Sequence, residues 1–146
     1  MRETRYQGAI VNKDKILLIK HLEYASGRSY WVIPGGGREP NETETKCVVR
    51  EMREETTLEV KVVRLLDESQ IPNDPVYKNR KTYLCNVISG QANPGYEPEE
   101  DAAASYKISE VAWFDLKSEE RWDASIFDNP IAYPVLHTIR QKLSYV

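Results

Sequence analysis

Three consecutive glycines, Gly35-Gly36-Gly37, constrain this chain more than any other feature. Before them, Tyr30-Trp31-Val32-Ile33 is aromatic and β-branched and reads as a strand running into Pro34. After them comes an acid-rich segment that reads as a helix from Glu42 to Thr56. Asn41 is its expected N-cap, with Glu44 at the capping-box spacing. Glycines between a strand and a helix suit a sharp turn and a close approach of backbone to ligand. At 100° per residue, with Glu51 as zero, Glu55 falls near about 40°, Glu54 near about 300° and Glu44 near about 20°. The carboxylates therefore share a face. Thr45, Val48, Val49 and Met52 fall at about 60–160°, on a face suited to a core. Like charges at these spacings cost a helix about 0.2–0.5 kcal/mol per pair. Folding does not need such an arrangement, but a hard divalent cation with oxygen ligands gives it a purpose. The bland alternative is a solvated face with an Arg50–Glu54 ion pair at i,i+4. The glycine run argues against it.

The segment from Gly36 to Leu58 resembles the Nudix box. In that family a glycine, five residues, a glutamate and seven residues precede Arg-Glu-apolar-x-Glu-Glu-x-Gly-apolar. Here Gly36, Glu42, Arg50, Glu51, Met52, Glu54, Glu55 and Leu58 all fall in register. Thr57 stands where the family has glycine. That glycine closes the helix at positive φ, so a β-branched residue there is strained or forces a different exit. The flanks Trp31-Val32-Ile33-Pro34-Gly35 and Trp113-Phe114-Asp115-Leu116 agree with the family too. The resemblance implies an α/β/α sandwich with a mixed sheet between helices. It also implies hydrolysis of a nucleoside diphosphate linked to another group, with Mg²⁺ or Mn²⁺. Glu51, Glu54 and Glu55 would hold the metal, and the carbonyl of Gly35 would add a ligand. Arg50 and Glu42 match the family's structural pair. The base would be Glu51 or a glutamate from a late loop. Glu97, Glu99, Glu100, Asp101 and Glu110 are the candidates for an added loop carboxylate, with Glu100 chosen.

A length of 146 residues suits a single domain, here residues 1–146, and one proper core. The net charge of −3 gives no case for binding a nucleic-acid polymer, which calls for a basic stripe. An acidic protein that handles phosphate recruits positive charge from outside, as a bound metal would supply. Cys47 and Cys85 make no disulfide framework, and reduced thiols in the cytoplasm are expected. The residues from Met1 to Tyr6 carry no secretory signal pattern, and no apolar run reaches the length of a membrane span. A homodimer is compatible with the reading.

Along the rest of the chain, Tyr6–Val11 and Ile16–Ile19 read as a hairpin around Asn12-Lys13-Asp14. Leu58–Leu66, Lys81–Ile88 and Lys107–Phe114 read as strands, and Asp67–Asn79 as a long loop. Pro130–Tyr145 reads as a closing helix, because Ile131, Val135, Ile139 and Leu143 recur at i+4. The glycines lack the Gly-Lys-Ser/Thr ending of a P-loop, so an ATPase of that type is excluded. His21 and His137 have no ligand spacing and read as surface or packing residues. Lys20 and Arg28 precede the glycine turn and are candidates to meet phosphate, while Trp31 and Tyr77 are candidates to stack on a base. ADP-ribose, dinucleoside polyphosphates and nucleoside triphosphates all stay open as substrates. Pro72, Pro75 and Tyr77 lie near, but not in register with, the family's markers for the first two. The alternative of another class is a non-catalytic Nudix module that binds a nucleotide. Retention of all the box glutamates favours the enzyme.

Overall fold

The expected hairpin forms β1 (Thr4–Asn12) and β2 (Lys15–Glu23), joined by Lys13 and Asp14, both at positive φ. Two such residues make the turn whose twist matches that of the flanking strands. The computed structural model describes residues 3–96 and 100–146, with side chains of the latter stretch from 103 onward. The remaining elements are β3 (Ser29–Val32), β4 (Gly35–Gly37), α1 (Glu44–Thr56), β5 (Glu59–Gln70) and β6 (Asn79–Ser89), followed by α2 (Glu100–Ser105), β7 (Tyr106–Asp115), a short 3₁₀ turn (Ala124–Ile126) and α3 (Ala132–Lys142).

The strands order as β3-β2-β1-β6-β5, with β4 added to β1 and β7 to β2. β1 and β6 run parallel while the other pairs are antiparallel, so the sheet is mixed. Helices cover both of its faces. Leu17, Ile10 and Tyr6 cluster with Val48, Met52 and Cys47 of α1. Ile16, Leu18 and Ala9 cluster with Val135, Leu136 and Ile139 of α3. Alternate residues of one strand thus feed opposite cores, which is why Ile16–Ile19 is continuously apolar rather than alternating. The arrangement is the α/β/α sandwich implied by the sequence.

Several boundaries differ from expectation. The N-cap of α1 is Thr43, whose hydroxyl accepts from Lys46 N–H, and not Asn41. Asn41 instead sits at φ 65° in the preceding turn, where the Glu42 N–H donates to the Glu39 carbonyl. Glu42 is therefore outside the helix, in a position to reach back across it. Thr45, placed on the core face by periodicity, is exposed beside its cap, whereas Cys47 is fully buried. Glu44 leaves the other acids and bonds Tyr83 and Lys81 of β6. β5 extends to Gln70, into the expected loop. Cross-strand partners hold the extension: Lys81 lies 3.9 Å from Glu68, and Arg80 Nε donates to Ser69 Oγ at 3.0 Å. No helix among the described residues is long and apolar enough to cross a membrane.

Candidate active site

β4 lies antiparallel to β1, with Gly36 opposite Tyr6 and Gly35 opposite Gln7. A Cβ at Gly36 would lie 2.5 Å from Glu51 Oε1. Glycine there lets the Glu51 carboxylate rest directly on backbone. The Gly35 N–H donates to Glu55 Oε1 at 2.7 Å. Glu51 is 5% exposed and Glu55 is 1% exposed, so two acids of one helix are removed from water.

Arg50 organises the acids. Its Nε and Nη2 donate to Glu42 Oε2 and Oε1 at 2.7 and 2.9 Å, a two-pronged pairing. Nη1 donates to Glu51 Oε1 at 3.0 Å and to Glu54 Oε2 at 3.2 Å, and Nη2 also reaches the Gly37 carbonyl. The hydrogen bond to Glu42 raises the guanidinium pKa, and the same bond lowers that of Glu42. The ion pair to Glu54 anticipated at i,i+4 is present, but as one arm of this larger cluster.

Among the described residues no group of three or more His, Cys, Asp or Glu side chains is already spaced to hold a metal ion. The donor set itself suits a hard cation. Glu42, Glu51 and Glu54 share one guanidinium, and Glu55 beside them is buried against a backbone amide. Carboxylate oxygens gathered this closely are the donor type that an oxygen-seeking divalent ion takes. Mg²⁺ and Mn²⁺ both meet that description.

On the other face of β1, Arg5 and Gln7 line a cavity of about 290 Å³ with His21, Tyr30, Tyr77 and Arg80. Gln7 stands opposite Gly35, so the cavity and the carboxylate helix meet across the glycine strand. Arg5 and Arg80 are register partners on parallel β1 and β6. Burial lowers the pKa of Arg80, against the opposing charge of Asp67 and with a smaller push from Arg5. His21 stacks on Tyr106 at 4.2 Å between ring centroids, with Tyr30 edge-on at 5.5 Å. Burial, aided by Arg5, brings the His21 pKa down to about 3, so the imidazole is neutral at physiological pH.

The predicted substrate residues divide. Tyr77 lines this cavity. Trp31 does not: it is 3% exposed and packs edge-on against Phe114 at 5.1 Å, so its ring serves the core and not a ligand. Lys20 lies over the Trp31 ring and 3.8 Å from Glu110, a cation held on the sheet rather than aimed at the carboxylates. Arg28 is exposed and lines an adjoining cavity of about 370 Å³, which shares Tyr30, Val32 and Ile131 with the first. The side chain of Glu100 lies outside the described residues, as do Glu97, Glu99 and Asp101. Arg5, Arg80 and Tyr106 escaped the sequence reading, while His21 is the packing residue it was read as. Only strand register brings them together, and a lone basic or aromatic residue on a strand carries no signal of its own.

Residues 3–133 match the NUDIX domain. The chain belongs to the NUDIX family. Its relatives include the NAD-capped RNA hydrolase NudC of Photobacterium profundum, 32% identical over 96 residues, or 64% of this chain and 34% of the relative. Putative nudix hydrolase 1 of Caenorhabditis elegans is 30% identical over 82% of this chain and 32% of its own length. The chain thus spans about a third of the curated relatives it matches. A NUDIX hydrolase from Nitrosomonas europaea superposes with a TM-score of 0.72 over 97% of this chain and 90% of its own, at 19% identity. An ADP-ribose pyrophosphatase from Streptococcus suis 89-1591 superposes at 0.64 over 99% and 91%, at 20% identity. These likenesses show that the fold is that of NUDIX hydrolases.

Proposed function

We propose that this NUDIX chain is a divalent-metal-dependent hydrolase that cleaves a phosphoanhydride bond in a nucleoside diphosphate linked to a further group. The observation that carries the reading is the Arg50 cluster: carboxylates on the last turns of α1, two of them buried, gathered on one guanidinium and pressed against glycine backbone. Glu51, Glu54 and Glu55 are the proposed metal-holding residues, with the Gly35 carbonyl and a late-loop carboxylate such as Glu100 completing the set. Mg²⁺ or Mn²⁺ there supplies Lewis-acid stabilisation of phosphoryl charge and eases deprotonation of water.

The chain's own residues do the positioning. Arg50 holds Glu51 and Glu54 in fixed rotamers while Glu42 holds Arg50. Gly35 fixes one oxygen of Glu55. Glu51, or a loop glutamate, accepts the proton of the attacking water. The cavity across β4 takes the nucleoside side of the substrate. Tyr30, Tyr77 and Tyr106 offer ring faces, and Arg5 and Arg80 offer two positive charges to an anionic linker.

The substrate class is a nucleotide-type small molecule. Relatives named NAD-capped RNA hydrolase and the structural neighbour named ADP-ribose pyrophosphatase put NAD-type and ADP-ribose-type diphosphates first in a screen. The net charge of −3 argues against tracking a long polyphosphate backbone. The test is phosphate or mononucleotide release from ADP-ribose, NAD, NAD-capped RNA, dinucleoside polyphosphates and triphosphates, with and without Mg²⁺. Turnover that stops in EDTA and returns with Mg²⁺ or Mn²⁺ supports the reading. Metal-independent turnover defeats it. Nucleotide binding without turnover on any substrate selects the non-catalytic module.

A further inference from the structure

The C-terminal end of α1 is closed in a way that neither the box nor the rest of the helix requires. Thr57 adopts the left-handed conformation, φ 63°, and its N–H donates to the Arg53 carbonyl. The next three helix carbonyls point out of the helix with no intrahelical donor, as at any helix end. Here all three are met by one distant segment. Tyr96 N–H donates to the Glu54 carbonyl at 2.9 Å, Gly95 N–H to Glu55 at 3.0 Å and Asn93 N–H to Thr56 at 3.0 Å. The Thr57 hydroxyl donates to the Gln91 carbonyl at 2.7 Å, tying the same segment from the helix side. The approach is close: a Cβ at Gly95 would collide with the Glu54 carbonyl oxygen.

Two of the bonded carbonyls belong to Glu54 and Glu55 themselves. Carboxylates at a helix C-terminus sit at its negative end, which is unfavourable and loosens the last turn. Three N–H groups delivered there offset the partial charge and fix the backbone that carries both acids. We infer that residues 91–96 form a positioning strap for the carboxylates of α1, with Thr57 and Gly95 as its two anchoring points, and that the strap sets the affinity of this end of the helix for a divalent cation. Thr57 and Gly95 are positioning residues, acting through Glu54 and Glu55. A glycine at position 57 would relieve the left-handed backbone but could not hold Gln91. The inference rests on the metal-holding reading of Glu51, Glu54 and Glu55 given above.

The test uses the whole chain without substrate. Amide hydrogen exchange reads the strap in metal-free protein, and Mn²⁺ titration reads the site. Thr57→Ser keeps the hydroxyl, Thr57→Gly removes it, and Gly95→Ala forces the strap off the helix. The expected result is exchange at residues 93, 95 and 96 about tenfold faster in Thr57→Gly and Gly95→Ala. Half-saturation by Mn²⁺ should then rise about threefold or more, with Thr57→Ser near wild type in both. Should Gly95→Ala fail to fold, the two Thr57 variants carry the comparison. Faster exchange with unchanged Mn²⁺ affinity overturns the proposal, because the strap is then only structural. Unchanged exchange in Thr57→Gly overturns Thr57 as an anchor. A wild-type protein that takes up no Mn²⁺ defeats the functional reading and this inference together, whereas wild-type uptake with indifferent variants sinks the strap alone.

Discussion

The two long helices pack on opposite faces of one sheet, and each buries charge, but they satisfy it differently. In α3, Val135, Leu136 and Ile139 fill the core, and Arg140 is 7% exposed. Its guanidinium donates to the Leu116 and Lys117 carbonyls and lies 3.6 Å from Glu119. One cation meets carbonyls and one acid, so the group is complete within the fold. In α1, Glu51 and Glu55 are buried as deeply, and one guanidinium serves three acids. A helix that only had to cover a sheet would resemble α3, and the contrast is what the proposed metal-holding role of α1 accounts for.

The largest expected effect separates the helices by activity. Glu51→Gln should lower kcat on the best substrate by at least about a hundredfold with little change in the thermal midpoint. Near wild-type turnover would return the chain to the binding-module reading. Leu136→Ala should do the reverse. Deleting a fully buried side chain should cost about 2–5 kcal/mol of stability by denaturant titration, while the folded fraction keeps its kcat. A loss of kcat at saturating substrate would mean that α3 is no mere packing helix.

Arg50→Lys tests the cluster between these extremes. Lysine keeps the charge and loses the fork, so stability should fall by about 1.5–3 kcal/mol and the metal requirement should rise. A melt indistinguishable from wild type would show that the bidentate pairing to Glu42 is idle.

The pH dependence of stability separates the cavity from the helix. His21 has its folded pKa held near 3, below the usual histidine range, by burial. The unfolded chain therefore binds the proton first, and stability falls as pH drops below about 6.5, continuing down to the folded value. Glu42 and Glu44 are lowered by their hydrogen bonds to Arg50 and Tyr83, so the stability they add is present above about 4.5 and lost below it. Between about pH 6.5 and 4.5 the slope belongs to His21 rather than to these two acids. Replacing it with Gln should flatten that limb in a urea-melt series. An unchanged limb would place the titrating group elsewhere.

The smallest effect is at the helix exit. Thr57→Gly gains about 1 kcal/mol by relieving the left-handed residue and loses about as much with the hydroxyl bond to Gln91. The midpoint should stay within about 2 °C of wild type. Thr57→Ala keeps the strained Cβ and loses the bond, so it should melt lower by about 1 kcal/mol. A clear rise for Thr57→Gly would mean that the hydroxyl bond adds nothing.

What could be read in advance was local. Capping chemistry announced a helix start but misplaced it by two residues. Asn41 and Thr43 are both competent caps, and the choice fell to the turn that frees Glu42 for Arg50. Trp31 looked like a stacking residue because an aromatic on a strand has two possible sides, and pairing with β2 put its ring in the core. His21 read as a surface or packing residue, and β7 and β3 settle it as packing by bringing Tyr106 and Tyr30 against its ring.

The sequence by itself determined the strand before the glycines, the helix after them and the shared side of Glu51, Glu54 and Glu55. The glycines read as a turn, whereas pairing with β1 makes them a strand, and the Arg50–Glu42 match came with the resemblance to the Nudix box. Spacing along a single element is set by helical and strand periodicity, which is a property of the chain. Tertiary structure alone decided three other things: which buried acids share one guanidinium, which bases stand together as Arg5 and Arg80 do, and how Gln91–Tyr96 closes the end of α1. These depend on register between strands and on backbone hydrogen bonds between distant segments. Such bonds are made by main-chain groups common to every residue, so no side-chain pattern records them.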